Sequence, residues 1–521
     1  MPVREKFDIF KKDNPLFRDV KEYNKYLLLL ISVSILVLTG VISYFVSGSY
    51  ARWNTVVESS NTLKLGVKSP NLDESGANKP ELTSNMIPVY YDNTSSSWKK
   101  ADANNSKAQY KWYDYDNKMW ANAVTVTETN RDTYLKASAG TEIPMDDINT
   151  MWVWIPRYTY TYLKTNTPEE IKIKFENGAE SSGTIKCTDN VSGSGTTSQT
   201  CTDTTNGSLK AGTSTYTHPA FTFGDTELTG LWVGKFESSA TEVLKTASND
   251  ESTVVIKPNV QSLRYKALSR QFRDARQMEK ANNVYGFPQS SSTTFNWNGE
   301  LTGDTNNIDT HMMKNTEWGA VTYLYHSKYG RCASGTCEEL TINNCSTYTT
   351  GIGGDTVSAS ASTTTCTTDK NKYNGESGVK ASTTGNVYGI YDMSGGSNEY
   401  VMGNMVDSSN QFQTSGAENW NKTTYPLSRY YDSYTYNTSQ TAYTIGRLGD
   451  ATIEMAPTGI KGNWYSDFAN LFDASYLLSW FYRGSSYGSG VNSGAFSFLA
   501  LNGVLSDGSF SFRVSLVAQA S

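Results

Sequence analysis

The sequence predicts an α+β fold with few helices, short strands and long irregular loops, preceded by one transmembrane helix and a small β module. Three observations carry this expectation. Short runs rich in aromatic and β-branched residues recur from Thr150 onward, among them "MWVWIPRYTYTYL" and "EWGAVTYLYHSKYG", separated by Gly/Ser/Thr-rich loops. Residues 261–281, "QSLRYKALSRQFRDARQMEKA", place apolar or aromatic residues at three-to-four spacing, as a helix does. Near the N-terminus, Tyr26–Val46 is an uncharged apolar run.

That run, "YLLLLISVSILVLTGVISYFV", would span ~31 Å as a helix, about one hydrocarbon core. Seven Lys/Arg precede it in 25 residues, whereas Arg52, Lys64 and Lys68 are the first basic residues after it. The positive-inside rule then makes residues 1–25 a cytoplasmic tail and puts the rest outside, a single-pass cell-membrane protein. A cleaved signal peptide is the alternative, but the run exceeds the usual ~7–15 residue apolar region of one. Residues 47–82 are polar, with Ser, Asn, Pro and Gly, and read as a stalk linker. Residues 83–147 carry aromatic strand-like runs split by turns and read as the small β module; residues 148–521 form the main domain.

Composition narrows function. A net charge of −6 with scattered Lys and Arg shows no basic stripe, which argues against a nucleic-acid partner. The three histidines, His218, His311 and His326, lie far apart in sequence, a poor basis for a His-built metal centre or a Ser-His-Asp triad. Tyr, Ser, Thr, Gly and Asn abound, as in adaptable binding surfaces. The six cysteines all fall on the outer side of this topology, and an even count there reads as disulfides. Cys187 and Cys201 flank one loop; Cys332, Cys337, Cys345 and Cys366 cluster in another. Cys187–Cys201 and Cys345–Cys366, with Cys332–Cys337 as a tight pair, is the natural pattern, although the last four allow three connectivities.

Several motifs, in order, resemble a known family. "MWVWIPRYTY", "HPAFTFGDTELTGLWVGKFESSAT", "KPNVQSLRYKALSRQF" and "HMMKNTEWGAVTYL", the last retaining Thr316, Glu317 and Trp318, are followed by "GNVYGIYDMSGGSNEYV", with Asn386, Gly389, Tyr391, Asp392, Met393, Gly395 and Glu399, then "WFYRGSSYG" and "SFSFRV". From Met151 to the C-terminus they are similar to the sulfatase-modifying-factor domain of the formylglycine-generating enzyme, a variant of the C-type lectin fold. The resemblance implies that fold. It does not carry the chemistry: the enzyme's two copper-binding cysteines follow its Arg-Gly-Gly-Ser motif, and no Cys, His or Met lies between Arg483 and Ser521. The "GNVYGIYDMSGGSNEYV" stretch is therefore read as scaffold. The resemblance also implies a structural calcium ion held by Glu399, with Asn398 as a substitute ligand because Gly396 stands in place of the family's Asn; a turn without metal is the alternative.

The C-terminal segment has a second resemblance. Phe481–Ala518 contains no Lys, Glu, Gln, Met or Trp in 38 residues. Randomising the adenines of AAC codons yields Asn, Tyr, Ser, Asp, Gly and others but none of those five, so the segment resembles the variable region of a diversity-generating-retroelement protein. These resemblances imply a surface-displayed, ligand-binding receptor or adhesin of bacterial or phage derivation with a protein or carbohydrate partner. Its binding face would comprise Tyr482, Ser486, Tyr487, Ser489, Asn492, Ser493, Phe496, Phe498, Asn502, Ser506, Asp507 and Ser509, on a scaffold of Trp480, Arg483, Gly484, Phe512 and Arg513. The alternatives are an enzyme of the sulfatase-modifying-factor class with altered chemistry and an adhesin with a fixed carbohydrate target.

Overall fold

The computed structural model describes residues 54–57, 63–66 and 75–518, apart from 194, 292, 294, 302–307, 415–417, 435–445, 456–463, 470–477 and 504–505. The chain divides into two units, Met1–Pro70 and Asn71–Ser521. In the first, Asn54–Val57 and Leu63–Gly66 pair as an antiparallel hairpin.

The second unit is organised around two sheets. The larger has seven strands in the spatial order Ile308–Met312, Val514–Ala518, Gly230–Gly234, Ile148–Pro156, Asn122–Val126, Ile87–Asp92 and Ser97–Lys100. All neighbouring pairs are antiparallel. Its central strand, "INTMWVWIP", is buried at every position but one. Such a run of apolar and β-branched residues is what a strand covered on both faces requires. Trp154 and Trp232 meet edge to face at 5.2 Å, and Gly230 leaves the room for this: a Cβ there would lie 2.4 Å from the Trp154 ring. Residues 83–147, expected as a small β module, contribute three strands to this sheet.

The smaller sheet contains Asp432–Tyr434, Asn398–Met405, Trp480–Gly484 and Gly494–Leu501, with Phe510–Phe512 pairing in parallel with Asn398–Met405. Phe510–Phe512 belongs to this sheet and Val514–Ala518 to the seven-stranded one. Arg513 is the residue between. Fully buried, it donates to both Glu399 oxygens, to the carbonyl of Gly234 in the larger sheet and to that of Tyr391.

Three α-helices occur among the described residues. Helix α1, Glu128–Lys136, buries none of its residues; α2, Leu268–Arg276, and α3, Asn315–Tyr325, are almost wholly buried. Four expectations are corrected here, the first being that "EWGAVTYLYHSKYG", read as a strand, lies largely in α3. The molecule is sheet-rich rather than α+β, and the helix expected over 261–281 is confined to Leu268–Arg276 with a short 3-10 turn after it. Its first part is extended because Ser262 bridges Ser239, the Leu263 amide donates to Ser238, and Tyr265 is left-handed at φ 64°. The last correction concerns the single-pass membrane placement. Among the described residues no helix is long and apolar enough to cross a membrane; Tyr26–Val46 and the tail before it lie outside those residues.

The cysteines form Cys187–Cys201, Cys332–Cys337 and Cys345–Cys366. The first two bonds join directly opposed residues of two-stranded hairpins.

Replacing one member of a buried, fully hydrogen-bonded ion pair strands the other, a loss of ~3–5 kcal/mol, whereas replacing both by apolar residues is often neutral. Urea unfolding of Arg513→Leu and Glu399→Leu should show losses of that order, and the double variant should recover most of the loss. Additive losses would mean that the pair is not the organising contact.

Candidate functional site

The C-terminal window leaves the core at Tyr482. The Trp480–Gly484 strand buries Trp480, Phe481, Arg483 and Gly484 and leaves Tyr482 half-buried. The Tyr482 ring meets Phe510 edge-on at 5.3 Å, while the Tyr400 hydroxyl donates to the Asn502 carbonyl at 2.7 Å. Gly484 and Ser485, both left-handed at φ 76° and 57°, then turn the chain outward. The Tyr487 amide donates to the Gly396 carbonyl, and its ring packs perpendicular to Tyr348 at 4.8 Å. Arg264 lies over the other aromatic partner, with its guanidinium carbon 4.0 Å from the Tyr348 ring centre. The same guanidinium donates to the Gly508 carbonyl, and the Tyr265 amide to that of Asp507. The 506–509 loop is tied down further by Asp507, which accepts from the Ser509 amide, and by the Asn398 amide, which donates to the Ser509 carbonyl. Tyr487 and Tyr348 are thus half-exposed neighbours above the buried Arg264, and the 506–509 loop closes beside them.

The other expected face residues divide. Asn492 and Asp507 are exposed; Ser486, Ser489, Asn502, Ser506 and Ser509 are half-buried. Ser486 and Ser489 bond each other, and the Ser493 hydroxyl donates to the Ser486 carbonyl, closing the 485–493 loop on itself. Ser493, Phe496 and Phe498 are buried, which removes them from the face. Every residue from Gly494 to Phe498 is buried: Phe496 packs on Trp464 at 5.1 Å, and Phe498 lies 5.7 Å from the Arg483 guanidinium. The scaffold residues Trp480, Arg483, Gly484, Phe512 and Arg513 are all buried. Arg264, Tyr265 and Tyr348 were not legible as face residues, because they come from segments more than 130 residues earlier with no local signal.

The "GNVYGIYDMSGGSNEYV" stretch packs beneath this face. Asp392, itself left-handed at φ 61°, accepts from the Asn343 side chain at 2.8 Å and from the Gly351 amide at 2.9 Å. Gly396 is demanded by space, since a Cβ there would lie 2.4 Å from a Glu237 oxygen. Glu399 and Asn398 do not fit a calcium ion. Adjacent strand residues point to opposite faces; Glu399 is spent on Arg513, and the Asn398 side chain donates to the Ser509 carbonyl. Burial pushes the Glu399 carboxyl up to about 7, against the pull of Arg513. A second grouping, His326 with Cys332 and Cys337, has its two sulfurs joined to each other and is no metal site either.

A separate groove of about 640 Å³ lies between the Ile185–Ser192/Gly195–Asp203 hairpin, the turn at Gly224, and residues 427–433. Under its wall, Phe223 stacks on His311 at 4.8 Å. His311 is fully buried, with Nδ1 3.0 Å from Asp309 and Nε2 2.9 Å from Glu317; Arg276 also donates to Asp309. Burial alone would lower the His311 pKa, but the charge of Glu317 and the two carboxylate hydrogen bonds lift it to about 9. Burial would likewise raise Glu317, and His311 instead holds it down at about 2.

The chain matches no known protein family, and no curated protein matches it.

Two outcomes follow from this geometry. Phe498→Ala should cost ~3–5 kcal/mol of stability as a buried aromatic, whereas Tyr487→Ala, half-exposed, should stay within about 1 kcal/mol; equal losses in chemical unfolding would contradict the inside–outside division. The histidine gives a pH dependence. Its folded pKa of about 9 exceeds the ordinary 6.5, so its contribution is complete below pH 6.5 and is lost as pH rises through 9. Glu317, depressed from 4.5 to about 2, contributes fully above 4.5 and loses its share as pH falls toward 2. The melting temperature should fall between pH 7 and 9, and His311→Gln, although less stable throughout, should have a flatter alkaline limb. A wild-type limb as flat as the variant's would show a neutral imidazole.

Proposed function

We propose that this chain is a ligand-binding protein that engages a protein or carbohydrate partner through its C-terminal face and varies that face by adenine-directed diversification. The observation that carries the reading is a coincidence of composition and position. The window that lacks Lys, Glu, Gln, Met and Trp is the one that carries the half-exposed Tyr482 and Tyr487, and Tyr487 packs on Tyr348, whose ring lies over the buried Arg264. Tyr is among the side chains that most often anchor interfaces, and Ser, Gly and Asn supply adaptable hydrogen bonds around it. The motifs resembling the sulfatase-modifying-factor family support a scaffold role for the residues beneath, and the missing cysteine pair favours binding over that family's oxidation chemistry.

The buried scaffold makes such variation tolerable. Arg483 is satisfied by Asn315 and by the carbonyls of Asp450 and Ser497, none of which depends on the side chains at 486–492. Exposed positions of this kind usually change stability by no more than ~0.5 kcal/mol.

Sequencing the DNA beside the coding region should reveal a reverse transcriptase and a near-copy of the 3′ end that differs at adenines in codons for residues 481–518. On protein and glycan arrays, the purified chain should bind a restricted set of targets, and Tyr487→Ala should weaken that binding by ~1–3 kcal/mol. A 3′ end without such a copy, together with Tyr487→Ala binding as the wild type does, would overturn the proposal.

A further inference from the structure

Among the described residues, His326, Cys332 and Cys337 bring a ring nitrogen and two sulfurs within 4.8 Å of one another. While the disulfide is closed the sulfurs offer no thiolate, and the grouping is no metal site. Opening that bond changes the chemistry without dispersing the parts. Cys332 and Cys337 are directly opposed in a hairpin, Cys332–Ala333 against Thr336–Cys337. The turn between them is Ser334 and Gly335, both left-handed at φ 51° and 83°. The hairpin is also held by bonds that do not involve sulfur: the Cys332 amide donates to the Ser327 carbonyl, the Glu338 amide to that of Arg331, and the Lys118 ammonium to that of Cys332. Opposed side chains of an antiparallel pair stand on one face, so two free thiols would remain neighbours.

His326 is positioned as a ligand. It is fully buried at the C-terminus of α3. The Glu169 carbonyl lies 3.1 Å from Nδ1, and a carbonyl only accepts, so that nitrogen carries the hydrogen. The lone pair is then on Nε2, where the Tyr465 hydroxyl sits at 2.7 Å. Metal-binding histidines are oriented in the same way, by donating the other ring N–H to a carbonyl or carboxylate. A cation would take the lone pair that the Tyr465 hydroxyl now uses. A reductant has a way in, because residues 333–336 are exposed and Cys337 is half-buried, whereas Cys345 and Cys366 are buried. The thiolate of a dithiol attacks the Cys337 sulfur and expels Cys332 as a thiolate; the second thiol of the reagent then closes its own disulfide and expels Cys337. Two electrons pass to the protein, and metal binding releases the protons of the two thiols. Two thiolates and an imidazole suit zinc and leave a fourth position for water. We infer that the Cys332–Cys337 hairpin and His326 form a redox-gated site for zinc(II), shut by the disulfide and opened by a dithiol.

The test is to reduce the purified full chain with dithiothreitol, remove the reagent under argon, and titrate with cobalt(II), whose thiolate charge-transfer absorption reports sulfur ligation, and then with zinc(II). The reduced wild type should take up cobalt with that absorption, and zinc should displace it. Oxidised glutathione, by taking the two electrons back, should release the metal. The Cys187→Ser/Cys201→Ser double variant should behave as the wild type does, and His326→Gln should bind cobalt at least about tenfold more weakly. If His326→Gln fails to fold, Cys337→Ser decides: its bond spans a sequence separation of only 5, so its loss costs the fold little, and it should abolish the absorption. Equal cobalt binding by oxidised and reduced wild type would overturn the inference, as would an absorption that survives in Cys337→Ser or is lost from the Cys187→Ser/Cys201→Ser variant.

Discussion

One guanidinium sits where the two sheets of this protein meet. The last strands of the chain belong to different sheets, and Arg513, the single residue between them, is removed from water completely. A buried cation is tolerable only when its donors are met, and the partners that meet this one come from three places: Glu399 in the smaller sheet, Gly234 at the end of a strand of the larger, and Tyr391 in the glycine-rich stretch. Each partner is thereby placed relative to the others. The glycine-rich stretch is compact for the same reason, with Gly396 leaving space for Glu237 and Asp392 folded back onto Asn343 and Gly351.

The same device recurs through the core. Arg157 is met by Glu176 and by the carbonyls of Phe221 and Leu228; Arg276 by Asp309 and the carbonyls of Gly299 and Thr310; Lys235 by Asn122 and the carbonyls of Val387 and Gly389. Long irregular segments cannot satisfy their own carbonyls as helices and strands do. A buried cation with several donors can collect those carbonyls from distant loops, which is how a chain with few helices keeps extensive loop structure inside its core.

The outer face follows from what the core has already consumed. Phe496, Phe498 and Phe512 face inward, so the window that carries them can vary only where its backbone turns away, at Tyr482, Ser486–Ser489 and the 506–509 loop. Those turns are held by backbone bonds to Gly396, Asn398 and Tyr265 and by the side chains of Ser489 and Asp507, so the rings of Tyr482 and Tyr487 are freer to change than the residues that close the loops.

Much of this was legible locally. The central strand at 148–156 declared itself by an apolar run and the Cys187–Cys201 bond by cysteines bracketing a Gly/Ser/Thr loop, because strand propensity and loop closure act over a few residues, whereas "EWGAVTYLYHSKYG", read as a strand from its aromatic and β-branched residues, lies largely in the Asn315–Tyr325 helix. The inward phenylalanines at 496 and 498 were misjudged because the compositional gap reports which residues a segment contains, not whether another segment covers them. The helix at 261–267 failed to form because Ser262 and Leu263 found partners at 238–239, a long-range pairing that outweighs local periodicity. By itself, the sequence determined the strand-rich character, the disulfide hairpin and the compositional gap of the last 38 residues. Only the tertiary structure decided that Tyr348 stands beside Tyr487 over the buried Arg264 and that Glu399 answers Arg513, because burial and charge pairing depend on which distant segments close over a residue, and no local pattern carries that information.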